Sequence, residues 1–91
     1  MNSPAVKAFI RKHSNLFWYT PEDKKEDISE DVLVEFILNY GTLDDVTELF
    51  RIMGIHKVAQ VFFSATGRKK LNYYPEIYNY FSLFFNKHAY R

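Results

Sequence analysis

Apolar residues recur along this chain at intervals of three and four, and most runs are bounded by a residue that starts or stops a helix. Ser3 followed by Pro4 is an N-cap with proline at the first helical position, and it opens a short helix through Ala5, Val6, Phe9 and Ile10 that ends near His13-Ser14-Asn15. Thr20-Pro21-Glu22-Asp23 repeats the start signal, but the "KKED" after it offers no apolar residue, so a single exposed turn is expected there. Ser29 caps the next helix, about 30 to 40. It sets Leu33, Phe36, Ile37 and Tyr40 at i, i+3, i+4 and i+7, with Val32, Val34 and Leu38 widening the apolar arc, and Gly41 stops it.

Thr42 caps a third helix and Asp45 completes an aspartate version of the capping box. Leu43, Val46, Leu49, Phe50 and Met53 form its stripe, Gly54 ends it, and His56 begins a fourth helix carrying Val58, Val61, Phe62 and Ala65. A "TGRKK" loop follows. Asn72 or Tyr74 then leads into Pro75 and a last helix from about 75 to 87, with Ile77, Tyr80, Phe81, Phe84 and Phe85 on one face. No segment alternates with the period of a strand. The expected fold is all-α, a compact bundle of four to five short helices without a sheet, forming one domain over residues 1–91.

Composition narrows the chemistry. The chain has no cysteine, which removes disulfides, a thiolate nucleophile and a Cys-based zinc site, and leaves the core to hold the fold unaided. Lys7, Arg11 and Lys12 interrupt the N-terminal apolar residues that a signal peptide would need, and "VLVEFIL" and "YFSLFF" are far shorter than a membrane-spanning helix. A cytoplasmic location, with no membrane partner, is the expectation.

The net charge of +1 conceals an uneven layout. Residues 22–48 hold ten of the eleven acids against Lys24 and Lys25, a local balance of −8, while both flanks are basic. Acidic and basic helices that face each other would absorb much of this. The C-terminal stretch "GRKKLNYYPEIYNYF" puts three cations before a run of aromatics. The helical spacing after Pro75 assigns Phe81, Phe84 and Phe85 to the core; Tyr73, Tyr74 and Tyr78 are either half-wet rim residues or platforms for base stacking. A helix-turn-helix reading of residues 42–70 would use Lys57 and Gln60 on the helix from His56, with Arg68, Lys69 and Lys70 on phosphates, although that helix is rich in apolar residues and follows an acidic one.

Catalytic and metal chemistry find no motif. His13, His56 and His88 lie far apart in sequence, and Glu22, Glu26 and Glu30 share an i, i+4 spacing but lack the glycine and ligand order of a calcium loop. "GTLDD" places adjacent aspartates in a helix's first turn, where a nucleotidyltransferase needs alternate carboxylates on a strand. No enzyme activity, cofactor or metal is expected.

The succession "LFWYTPEDKKEDISEDVLVEFILNYGTLDDVTELFRIMGIHKVAQVFF" resembles a small bacterial family of unknown function. Its members have a Leu-Phe-Trp-Asp start, a Pro-Glu turn, an apolar helix ending in Tyr-Gly or Arg-Gly, and a Thr/Asp-Leu-Glu/Asp-Asp helix start. The resemblance runs from Leu16 to about Phe85. It departs from the family at Tyr19, where an aspartate is usual, and in the final helix, which lacks the tryptophan. Such genes often lie beside nucleotidyltransferase-type abortive-infection toxins, which implies an antitoxin-like or accessory role. The functional expectation is therefore a non-catalytic interaction module that binds a protein partner through Asp23, Glu26, Asp27 and Glu30, with a small DNA-binding regulator as the alternative. Trp18, in a connection after Leu16 and Phe17, is expected to pin the first helix onto the bundle.

Overall fold

In the computed structural model, which describes residues 3–17, 20–65 and 68–89 and gives Arg68 and Lys69 as backbone alone, the caps read from the sequence open the first three helices. The α-helices are α1 (Pro4–Lys12), α2 (Glu30–Tyr40), α3 (Leu43–Met53), α4 (Ile55–Phe63), α5 (Arg68–Leu71) and α6 (Pro75–His88). Two 3₁₀ turns, Ser14–Phe17 and Glu22–Asp27, lie between α1 and α2. No strand occurs among the described residues. The fold is all-α.

The hydroxyls of Ser3 and Ser29 each accept a hydrogen bond from the backbone N–H three residues on, at 3.3 Å. At α3 the box is reciprocal: Thr42 Oγ1 accepts from Asp45 N at 3.2 Å and Asp45 Oδ2 accepts from Thr42 N at 2.9 Å. Each cap satisfies donors that the first helical turn would otherwise leave bare. The glycines on either side of α3 serve different needs. A Cβ on Gly41 would sit 2.7 Å from the Ile37 carbonyl oxygen, so space forbids it. Gly54 has φ of 87°, a backbone state that side chains disfavour, but no atom lies within 4 Å of where its Cβ would be.

One cluster of buried side chains joins the elements, with Ile10 of α1, Leu33, Val34 and Ile37 of α2, Leu49 of α3, Val58 and Phe62 of α4 and Phe85 of α6 fully enclosed. The last helix attaches through rings. Phe85 meets Phe50 of α3 at 5.7 Å and Phe62 of α4 at 5.2 Å between centroids, and Tyr78 stacks on Phe62 at 4.8 Å. Its approach is fixed by Asn39 of α2, whose Nδ2 donates to the Asn72 carbonyl at 3.0 Å and whose Oδ1 accepts from Tyr74 N at 3.2 Å.

Several expectations change. The segment Glu22–Asp27 is a 3₁₀ helix folded back on α1, and Lys25 within it is 5% exposed. Its anchor is polar, which is why an apolar pattern could not show it: Lys25 Nζ donates to the Ser14 carbonyl at 3.0 Å and to Glu22 Oε1 at 2.8 Å. Arg11 of α1 grips the same segment through Glu22 at 2.8 Å and Glu26 at 2.9 Å. Part of the expected basic loop is a one-turn helix, α5. Tyr80, assigned to the core face of the last helix, is 57% exposed, and Leu43, assigned to the third-helix stripe, is 77% exposed. Of the three tyrosines with two readings, Tyr73 is buried, Tyr78 is half-buried and Tyr74 is exposed. Trp18, like Tyr19, lies outside the described residues.

Candidate functional site

The end of the second 3₁₀ turn, the starts of α2 and α4 and the end of α3 meet around a surface groove of about 920 Å³. Local rules set each wall. Ser29 caps α2 with an extended backbone, which leaves Asp27 and Ile28 on the rim, and the corner at Gly54 leaves Ile52 and Met53 lining the groove with Lys57. Val6 of α1 joins Ile28, Ile52 and Met53 as the apolar lining. Glu30 and Lys57 close the mouth as a loose ion pair, Oε1 to Nζ 3.6 Å, both side chains nearly half exposed.

This geometry divides the acidic residues singled out from the sequence. Asp27 and Glu30 line the groove, whereas Asp23 and Glu26 stand on the 3₁₀ turn beside it. Glu26 is engaged by Arg11 and Glu30 by Lys57, and both remain partly exposed. Asp23 and Asp27 are exposed and make no ion pair among the described residues. The opposing charges of the chain thus meet each other in part, as Lys12 also does with Glu48 at 3.1 Å. Ile28, Ile52 and Met53 were not legible as a lining, because it is the corner at Gly41 and Thr42 that brings the end of α3 back against the start of α2.

Two of the cations of the DNA-binding alternative are engaged within the chain. Lys57 and Gln60 are exposed on α4, but Lys57 leans on Glu30. Lys70 lies over the Tyr78 ring, 4.8 Å from its centroid, on the side of the molecule where α5 meets α6. The connection between α3 and α4 is Gly54 alone, shorter than the three or four residues usual in a helix-turn-helix.

No group of three histidine or acidic side chains among the described residues is arranged to hold a metal ion. His13 caps α1 and packs its ring at a tilt against Phe9, 4.5 Å between centroids, with its buried Nε2 3.5 Å from Asp45 Oδ1 and 3.9 Å from Glu48 Oε1. It fastens α1 to α3. No helix is long and apolar enough to cross a membrane among the described residues.

Comparison with known proteins returns nothing. No family model, curated protein or solved structure matches the chain. The family resemblance therefore rests on the quoted motifs.

A smaller cavity, about 230 Å³, lies between α2 and the approach to α6 and brings Asp31 and Glu35 towards Tyr73. Burial, ahead of the charge of Asp31, raises the Glu35 carboxyl above its usual range, against the opposing effect of a hydrogen bond with the Asn72 side chain. Burial, together with Glu35 and Asp31, likewise pushes the Tyr73 phenol up. A carboxyl whose pKa is raised in the folded state supports folding at low pH and loses that contribution as pH rises through the folded value. Glu35→Gln, which keeps an amide able to bond Asn72, is expected to raise the urea midpoint at neutral pH and to lose its advantage below the ordinary glutamate range. A variant no more stable than wild type at neutral pH would contradict this.

Proposed function

We propose that this chain is a non-catalytic protein-interaction module that docks its partner at the groove between the starts of α2 and α4. The observation that carries the reading is an apolar lining of Val6, Ile28, Ile52 and Met53 beside two exposed carboxylates, Asp23 and Asp27, that make no ion pair among the described residues. A partner segment with one or two apolar side chains and flanking lysine or arginine fits that surface, since the apolar contact supplies affinity and the charges guide the approach. Together with the resemblance, this gives a cytoplasmic antitoxin-like role. The acidic face would cover the basic, nucleic-acid-binding surface of a nucleotidyltransferase-type toxin.

Two charge reversals test the reading. Asp23→Lys with Asp27→Lys should abolish rescue of cells that express such a toxin and should abolish its co-purification. Reversal of Arg68, Lys69 and Lys70 to glutamate should leave both intact. Duplex DNA binding that falls steeply with salt and disappears only in the second variant would replace the proposal with the DNA-binding alternative.

A further inference from the structure

The face of α6 that points away from the core is built as a seam. Glu76, Tyr80, Leu83 and Lys87 follow one another at spacings of four, three and four, which places them within one narrow stripe of the helix. All four are exposed, Tyr80 at 57% and Leu83 at 65%, and the stripe lies opposite Phe81 and Phe85, the ring pair that α6 buries. A surface helix ordinarily carries polar residues there. Neither Glu76 nor Lys87 makes an ion pair among the described residues.

The order of the four residues states what would cover them. Turned end for end on itself, the stripe sets Glu76 against Lys87 of the other copy and Tyr80 against Leu83 of the other copy, and the two-fold repeats both pairs. A parallel arrangement would instead oppose glutamate to glutamate and lysine to lysine. The flanks obey the same symmetry. Half-buried Ile77 and Phe84 lie along one side of the seam, and exposed Asn79 and Asn86 along the other, so apolar meets apolar and amide meets amide. We propose that α6 pairs antiparallel with α6 of a second copy of this chain, making a two-fold dimer closed at each end by a Glu76–Lys87 ion pair.

The helix is already held in shape by its rings on Phe50 and Phe62, so pairing does not bear the cost of forming it. Its length, 14 residues or about 21 Å, gives an interface below the size of permanent complexes, and the dimer is accordingly one that dissociates on dilution. The groove at the start of α2 is formed from other elements, so this dimer and the proposed function stand or fall separately.

Sedimentation equilibrium on the whole chain tests the pairing. Wild type should be mostly dimer at about 100 μM and mostly monomer at about 1 μM. Glu76→Lys and Lys87→Glu alone each oppose like charges at both ends and should weaken the dimer by about tenfold or more. The double variant, and an equal mixture of the two single variants, restore every opposite-charge pair and should recover wild-type association. This recovery separates lost pairing from lost folding. A wild-type chain that stays monomeric at about 100 μM, or single variants that associate as well as wild type, would overturn the proposal. A dimer that the charge swap fails to restore would do so too.

Discussion

Replacing Phe62 by alanine should remove about 4 kcal/mol of folding stability. The ring is fully buried at the point where α4 meets α6, within 5.2 Å of Phe63, Tyr73, Tyr78 and Phe85 between centroids. Truncation forfeits the transfer of a large apolar side chain and leaves a hole whose walls are themselves rings, which cannot collapse without leaving their stacked or edge-on geometry. A chain of this size has roughly 5 to 14 kcal/mol to lose, so the variant should be marginal at room temperature. Urea unfolding followed by far-ultraviolet circular dichroism measures the loss. Phe62→Leu, which refills most of the volume, should retain more than half of the difference. A Phe62→Ala midpoint close to wild type would mean that α6 is not held by this cluster.

Lys25 is the second site of large expected effect. Its stem is enclosed and its ammonium donates to the Ser14 carbonyl at 3.0 Å. Lys25→Ala should cost about 2 to 3 kcal/mol, from the lost stem together with a backbone acceptor left without its partner. Lys25→Met keeps most of the stem and removes the ammonium with its two hydrogen bonds, and should cost about 1 kcal/mol. The pH dependence has a sign opposite to that of Glu35. Lys25, with Arg11 as the lesser influence, holds the Glu22 carboxyl below its usual range. That contribution is present above the ordinary glutamate pKa and is lost as pH falls through the lower folded value. The deficit of Lys25→Met should therefore narrow in acid. If Lys25→Met proved more stable than wild type at neutral pH, burying the ammonium would be a net cost in this fold.

The main helices were legible because their start signals are local. Ser3, Ser29 and Thr42 each bond a backbone group three residues away, and such a contact can be read without knowing the tertiary structure. What was not legible depended on contacts distant in sequence. Nothing near Lys25 shows that Ser14 waits for it. The periodicity of α6 admits two faces, and only the positions of Phe50 and Phe62 decide that Phe85 turns inward while Tyr80 turns out. For the candidate groove, Asp27 and Glu30 could be marked from charge alone, whereas the apolar lining combines Val6 and Met53, read as helix-stripe residues, with Ile28 and Ile52, which no periodicity marked. The pairing of Glu26 with Arg11 was likewise hidden, since the two lie 15 positions apart.

The two glycine corners are constrained in different ways. At Gly41 the backbone passes so near the Ile37 carbonyl that even a methyl group has no room, and the reciprocal Thr42–Asp45 bonds brace the next turn. Gly54 has no atom within 4 Å of where its Cβ would be, so its demand is the φ of 87° and not space, while buried Val58, Ala59 and Phe62 hold α4 against the core. Ile52 and Met53 stand before that corner and Lys57 after it. Substitution at Gly41 is therefore expected to displace backbone, whereas substitution at Gly54 strains one torsion at the edge of the groove.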